Sequence, residues 1–204
     1  MRMFSSSPAP REEGGASGLA GSPRPPGAWL FGKLPAHGDF IGRGRSPEMR
    51  EQLDLWLSAE LARARARFSD FDERYRLAPP WAFRDCDPAG GWSGGALCLS
   101  VDAVGRRFPI LVAAPAPGPA EAWGVADAAL ELVFSALGEG WEAPRLHDAL
   151  GAIVPPDVSE ANVSASDATG AAPGWVIAAE DGTRIEASGR YPDGLIERMM
   201  ELVE

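Results

Sequence analysis

The sequence predicts an α+β layered fold whose central sheet is mostly antiparallel, holds about five or six strands and is flanked by helices. Three observations predict it. Short apolar runs of strand length recur, several joined by connections too short to hold a crossover helix. Apolar stripes at spacings of three and four occupy only a few segments. The order of elements, strand, helix, several strands, helices, hairpin, helix, has no repeating βαβ rhythm. At 204 residues, 45% hydrophobic and 24% charged, the chain suits one domain whose core needs no staples.

Residues 1–26 hold Ser5-Ser6-Ser7-Pro8, Gly14-Gly15 and Pro23-Arg24-Pro25-Pro26 with little that could be buried, so they are expected to be a disordered N-terminal segment. The folded unit is expected to be a single domain over 27–204. Ala28–Phe31 reads as a short apolar strand leading into Gly32–Arg43, a stretch too rich in Gly and Pro for a helix interior and read as a shaped loop. That loop contains Lys33, the one lysine of the chain, and His37, one of two histidines. Ser46-Pro47-Glu48 is a helix start, with a hydroxyl cap, a proline where no N–H is needed and an acid in the first turn. Met49, Leu53, Trp56, Leu57, Leu61, Ala64 and Phe68 continue it as one stripe to about Phe68. Arg63, Arg65 and Arg67 spread over more than one face of it and read as solvated, with Glu60 placed to pair with Arg63.

Trp81–Arg84 reads as a short strand, and 85–91 as turn-rich. Gly91–Gly95 reads as a glycine-rich turn entering the strand Ala96–Val101, which a six-residue loop joins to the strand Phe108–Ala113. A second helix opens at Gly118-Pro119, with the stripe Trp123, Ala126, Leu130, Val133, Phe134 and Leu137 and Gly138 as its cap. A shorter helix spans about Arg145–Leu150. Residues 155–173 read as a long surface loop. Gly174–Ala179 and Thr183–Ala187 flank Asp181-Gly182, a two-residue hairpin signal. A last helix follows Pro192 with Leu195, Ile196, Met199, Met200 and Val203 on one side.

The net charge of −10 argues against nucleic acid as a partner, because phosphate backbones are held by clustered positive charge. No run approaches the length of a spanning helix, and no apolar signal core opens the chain, so direct membrane insertion is not expected. Cys86 and Cys98 match neither a redox pair nor a zinc half-site, which fits a reduced, cytoplasmic setting.

Four chemistries compete for the polar residues. Gly27–Lys33 fits G-x-x-x-x-G-K, but its middle is a strand-like run, Leu34 stands where a magnesium-binding hydroxyl is needed, and Pro35 blocks a helix. Gly91-Trp92-Ser93-Gly94-Gly95 fits G-x-S-x-G, with Asp127 and His147 following in hydrolase order; a serine hydrolase using Ser93 is the alternative function, although a strand and not a helix follows the serine. His37, Asp39, Cys86, Cys98 and His147 offer a metal only the close pair His37-x-Asp39, and no metal or cofactor is expected. The fourth reading is partner recognition, with Lys33, His37, Asp39 and Arg43 as a polar rim around Phe40 and with Asp102, Arg106 and Arg107 on a second loop. Set against it, Asp39 and Asp102 read equally as loop-shaping acceptors of backbone N–H groups, and residue chemistry alone favours neither.

The residues also carry a resemblance. Trp29-Leu30-Phe31-Gly32-Lys33-Leu34-Pro35-Ala36-His37-Gly38-Asp39-Phe40 resembles the G-x-x-G-K-L-P-x-x-G-D-F opening of the type VI secretion-associated TagF (ImpM) proteins. Trp56-Leu57 fits the tryptophan of that family's first helix, and Ala78-Pro79-Pro80-Trp81-Ala82-Phe83 its A-P-x-W-x-F run. Ser100-Val101-Asp102-Ala103-Val104-Gly105-Arg106-Arg107-Phe108-Pro109-Ile110 resembles S-V-D-x-V-G-R-x-F-P-L. Trp175 and Gly189-Arg190-Tyr191-Pro192-Asp193 look like its final strand pair and helix, more loosely. The resemblance implies a cytoplasmic, non-enzymatic accessory protein of the secretion apparatus, a post-translational repressor that binds an FHA-domain partner. It supplies no catalytic residue. Some members of the family carry a fused phosphatase domain; none is expected in these 204 residues, so a stand-alone regulator is the specific expectation.

Overall fold

The computed structural model describes residues 27–87, 91–154, 172–178 and 184–203. The expected disorder of 1–26, most of the 155–173 loop and the Asp181-Gly182 turn lie outside the described residues. In chain order the elements are β1 (Trp29–Gly32), β2 (Ile41–Arg43), α1 (Pro47–Arg67), α2 (Phe71–Leu77), β3 (Trp81–Cys86), β4 (Trp92–Cys98) and β5 (Ile110–Ala116), followed by α3 (Glu121–Glu139), α4 (Ala143–Gly151), β6 (Gly174–Ala178), β7 (Arg184–Ser188) and α5 (Leu195–Glu201). The α+β class holds. The strands form one seven-stranded sheet in the order β2-β1-β5-β4-β3-β6-β7, and every adjacent pair is antiparallel. The sheet is thus slightly larger than expected.

Side-chain alternation divides the core in two. Trp29, Phe31, Leu97, Leu111 and Ala113 face one side, where Leu53, Leu57 and Ala64 of α1, Phe71 and Tyr75 of α2 and Leu195, Ile196, Met199 and Met200 of α5 cover them. Leu30, Ala96, Cys98, Ile110 and Val112 face the other, under Ala129, Val133 and Ala136 of α3 and Leu146 and Leu150 of α4. The result is helix, sheet, helix in three layers.

α1 begins where the capping signal put it: the Ser46 hydroxyl accepts the Met49 N–H, and Pro47 opens the helix. Five expectations change. Ile41–Arg43, read as part of a loop, pairs with β1 as an edge strand. Trp92–Gly95, read as part of a glycine-rich turn, forms the first half of β4, and that strand ends at Cys98, earlier than Val101. Glycine is required at 94 because a Cβ there would lie 1.9 Å from the Ala122 carbonyl oxygen of α3. The second helix runs past Gly138 to a left-handed cap at Gly140, and Phe134 is exposed. α2 was not anticipated, since seven residues with only Phe71 and Tyr75 turned inward make no visible stripe. Glu60, expected on a solvated face, is fully buried. It does pair with Arg63, and its carboxylate also accepts the Gly194 and Ile196 N–H groups at 3.0 and 3.1 Å, capping α5.

Candidate functional site

β1 pairs with β5 so that Gly32 stands opposite Ile110. Gly32 has φ +135°, and a Cβ on it would collide with the Pro109 carbonyl oxygen at 1.9 Å, so the chain can leave β1 here only as glycine. The Lys33 N–H then donates to that same carbonyl at 3.3 Å. The exit points Lys33 into the connection between β4 and β5, where Val101 bridges to Arg107 and Asp102 begins the tip.

Lys33 and Asp102 meet there, buried at 5% and 2% exposure, with Nζ 2.8 Å from Oδ2. Arg106 Nε donates to the same oxygen at 2.6 Å, while Oδ1 accepts the Val104 and Arg106 N–H groups at 3.1 and 2.9 Å. Burial acts to raise the Asp102 carboxyl. The hydrogen bonds from Lys33, from the Arg106 N–H and guanidinium and from the Val104 N–H outweigh it and hold the group well below the usual carboxylate range. A paired, multiply hydrogen-bonded carboxylate of this kind anchors structure and is a poor proton acceptor.

The two loops also interlock through backbone. The Ala103 N–H donates to the His37 carbonyl at 2.8 Å, and the Arg106 guanidinium donates to the Gly38 carbonyl. His37 Nε2 accepts the Ala143 N–H at 2.9 Å, which ties the first loop to the start of α4. This bond needs Nε2 unprotonated, with any ring proton on Nδ1. Beneath the second loop the Tyr75 hydroxyl donates to the Ser100 carbonyl at 2.7 Å and accepts the Ser100 N–H at 3.2 Å. Burial pushes that phenol well above its ordinary pKa, so it stays a neutral clamp.

Above the ion pair sits Phe40, 46% exposed. Its ring lies 4.7 Å from Phe108 edge to face and 6.1 Å from Phe31 in a stack, with Lys33 Nζ 4.8 Å from its centroid. Asp39 accepts the Phe40 N–H at 2.8 Å and is exposed. Arg43, expected in the rim, ends β2 exposed opposite Leu30, so it leaves the sheet on the face away from Phe40, which packs on Phe31 and Phe108.

The structure therefore gathers Lys33, His37, Asp39, Phe40, Asp102 and Arg106, with Lys33 and Asp102 beneath the rim instead of in it. Arg107 turns away toward α2, where its Nη1 lies 3.1 Å from Asp72. Phe31, Phe108 and Tyr75 belong to the assembly without having been singled out. Phe108 sits inside a quoted motif, but nothing in the local pattern of Tyr75 signals its reach to Ser100. An open groove runs from Phe40 and Ile41 past Arg50 and Asp54 of α1.

The other candidates do not converge. Ser93 is 4% exposed in the interior of β4, paired with Asp85 and Pro115, so the strand-to-helix elbow that would expose a nucleophile is not formed. His147 Nε2 lies 3.1 Å from the Ala28 carbonyl oxygen. Among the described residues no group of three metal-ligating side chains occurs. Cys86 and Cys98 are free thiols, and burial pushes Cys98 up to about 12. No helix is long and apolar enough to cross a membrane among the described residues.

A search of curated proteins finds no match. The crystal structure of PA0076 from Pseudomonas aeruginosa PAO1 is similar, with a TM-score of 0.66 over 85% of this chain and 93% of that one. Identity is 22%, so this likeness is one of fold. The family model described as TagF N-terminal domain, type VI secretion system-associated, matches residues 29–153, which span both interlocked loops. By that match the chain belongs to the TagF family of type VI secretion system-associated proteins.

Proposed function

We propose that the chain is a cytoplasmic regulator of type VI secretion, a post-translational repressor that works without enzymatic chemistry by binding an FHA-domain partner through the surface around Phe40. One observation carries the reading. A half-exposed aromatic ring stands on a base of Phe31, Phe108 and a buried ion pair, with the exposed Asp39 carboxylate next to it. Aromatic anchors with little freedom to lose, rimmed by charge, are what contact surfaces use as hot spots. The buried core of the site, Lys33 and Asp102, builds that platform and does not itself touch the partner.

Capture of the FHA-domain protein of the same secretion system by the purified chain tests this. Phe40→Ala, and separately Asp39→Lys, are expected to weaken capture about tenfold or more with the melting temperature nearly unchanged. Lys33→Met is expected to lower melting first and binding only with it. Capture at wild-type strength by both surface variants, or none by the wild type, would overturn the reading, as would labelling of Ser93 by a fluorophosphonate.

A further inference from the structure

Trp56, Trp81 and Trp175 each donate their indole N–H to a backbone carbonyl, of Pro192, Leu195 and Gly189 respectively. Trp29 does not. It is 4% exposed, and its Nε1 has no hydrogen-bond partner among the described residues. The indole lines a cleft of about 30 Å³ free volume on the α1 side of the sheet, walled by Leu53, Phe83, Leu111 and Tyr191. Arg45 lies over the Trp29 ring at 4.5 Å, and its own Nε is buried without a partner. The wall also holds Asp85 and Asp87, and Asp85 is already engaged by Arg190 at 2.9 Å.

The cleft thus presents two buried donors, one of them cationic, and no acceptor committed to either. Burial disfavours a charge on Arg45, with Arg190 adding to it, and Asp85, Tyr191 and Asp87 offset this only in part; an anion seated on the guanidinium relieves the rest. We propose that this cleft binds a carboxylate group, whose oxygens accept the Trp29 indole N–H and the Arg45 N–H while its methylene stem rests against Leu53, Phe83 and Leu111. A carboxylate is planar, acceptor-only and singly charged, and its three heavy atoms suit the volume. A phosphate is bulkier, and its second charge meets Asp85 and Asp87 in the same wall. The cleft shares no residue with the Phe40 platform, so the proposal does not rest on the partner reading above.

The test is an NMR titration of the full-length ¹⁵N-labelled chain, whose seven tryptophans give resolvable indole signals. Loss of one signal in Trp29→Phe assigns it. Sodium propionate up to about 50 mM is expected to move the Trp29 indole signal saturably. Sodium chloride and sodium phosphate at matched ionic strength are not. Arg45→Met, and Arg45→Lys as the variant that keeps the charge, are each expected to weaken the response about tenfold. A capped tripeptide carrying one Glu binding more tightly than propionate places the source on a partner's acidic side chain; propionate binding as well or better places it on a free small acid. No saturable shift with either, an equal shift with phosphate, or full affinity in both Arg45 variants overturns the proposal.

Discussion

Asp102 gives the fold a pH dependence whose sign follows from its hydrogen bonds. An unfolded Asp titrates near 3.9, and the folded carboxyl titrates lower because Lys33, Arg106 and two backbone N–H groups hold it ionised against the pull of burial. The stability it contributes is therefore complete above about pH 5 and is lost as pH falls through about 4 toward the folded value. Asp102→Asn should have a lower urea midpoint than wild type at pH 7, and the gap should narrow steadily below about pH 4. A gap that stays constant between pH 7 and pH 3 would remove Asp102 from this role. Both members of the pair are recognisable in the sequence as unusual residues of two motifs. Their meeting is not, because they stand 69 positions apart and only the β1–β5 register brings them together.

At the scale of elements, two contacts decide how helices dock. Glu60 falls on the α1 stripe between Leu57 and Ala64, so its spacing marks it as buried while its charge marks it as solvated. Glu60→Ala removes the acceptor of two α5 N–H groups and should cost about 2–4 kcal/mol. Amide exchange in Leu195–Glu201 should accelerate more than in β4, and Glu60→Gln should recover part of the loss. Gly94 does the corresponding work for α3, letting the helix backbone approach the strand until Ala122 O stands where a side chain would begin. Gly94→Ala should destabilise by about 3 kcal/mol, since backbone on backbone cannot give way as side chains do. Gly138→Ala, on the same helix with nothing within 4 Å of the new methyl, should instead be neutral or slightly stabilising in the same thermal melts. Local pattern could not reveal Gly94 and Gly95 as strand, since glycine in a strand interior makes sense only once the neighbour it admits is known. Nor could it reveal β2, whose Ile41-Gly42-Arg43 is too short to show alternation. The long stripe of α1 and the dense one of α5, with Leu195, Ile196, Met199 and Met200 all buried, are legible because a helix that buries one face must write that face into its sequence.

For the whole molecule, the family match stops at residue 153 while the sheet does not. β6 pairs with β3, and Trp175 lies 4.5 Å from Phe83 and 5.6 Å from Trp56, ring centre to ring centre. α5 fills the groove beside α1 with Met199 and Met200, both fully buried. A chain ending at 153 would open the β3 edge and one face of the core together. It should elute as aggregate in gel filtration, whereas the chain through 204 should not.

The position of β1 between β2 and β5 also sets an order of assembly during synthesis. On the ribosome, the strand bearing Gly32 emerges with only three-residue β2 as a neighbour, and its long partner begins at Ile110, roughly eighty residues later. At about 5–20 residues per second that is several seconds of waiting for an apolar strand. The loop by which the family is recognised is among the first segments made, yet it locks only after Asp102 and Pro109 have left the exit tunnel.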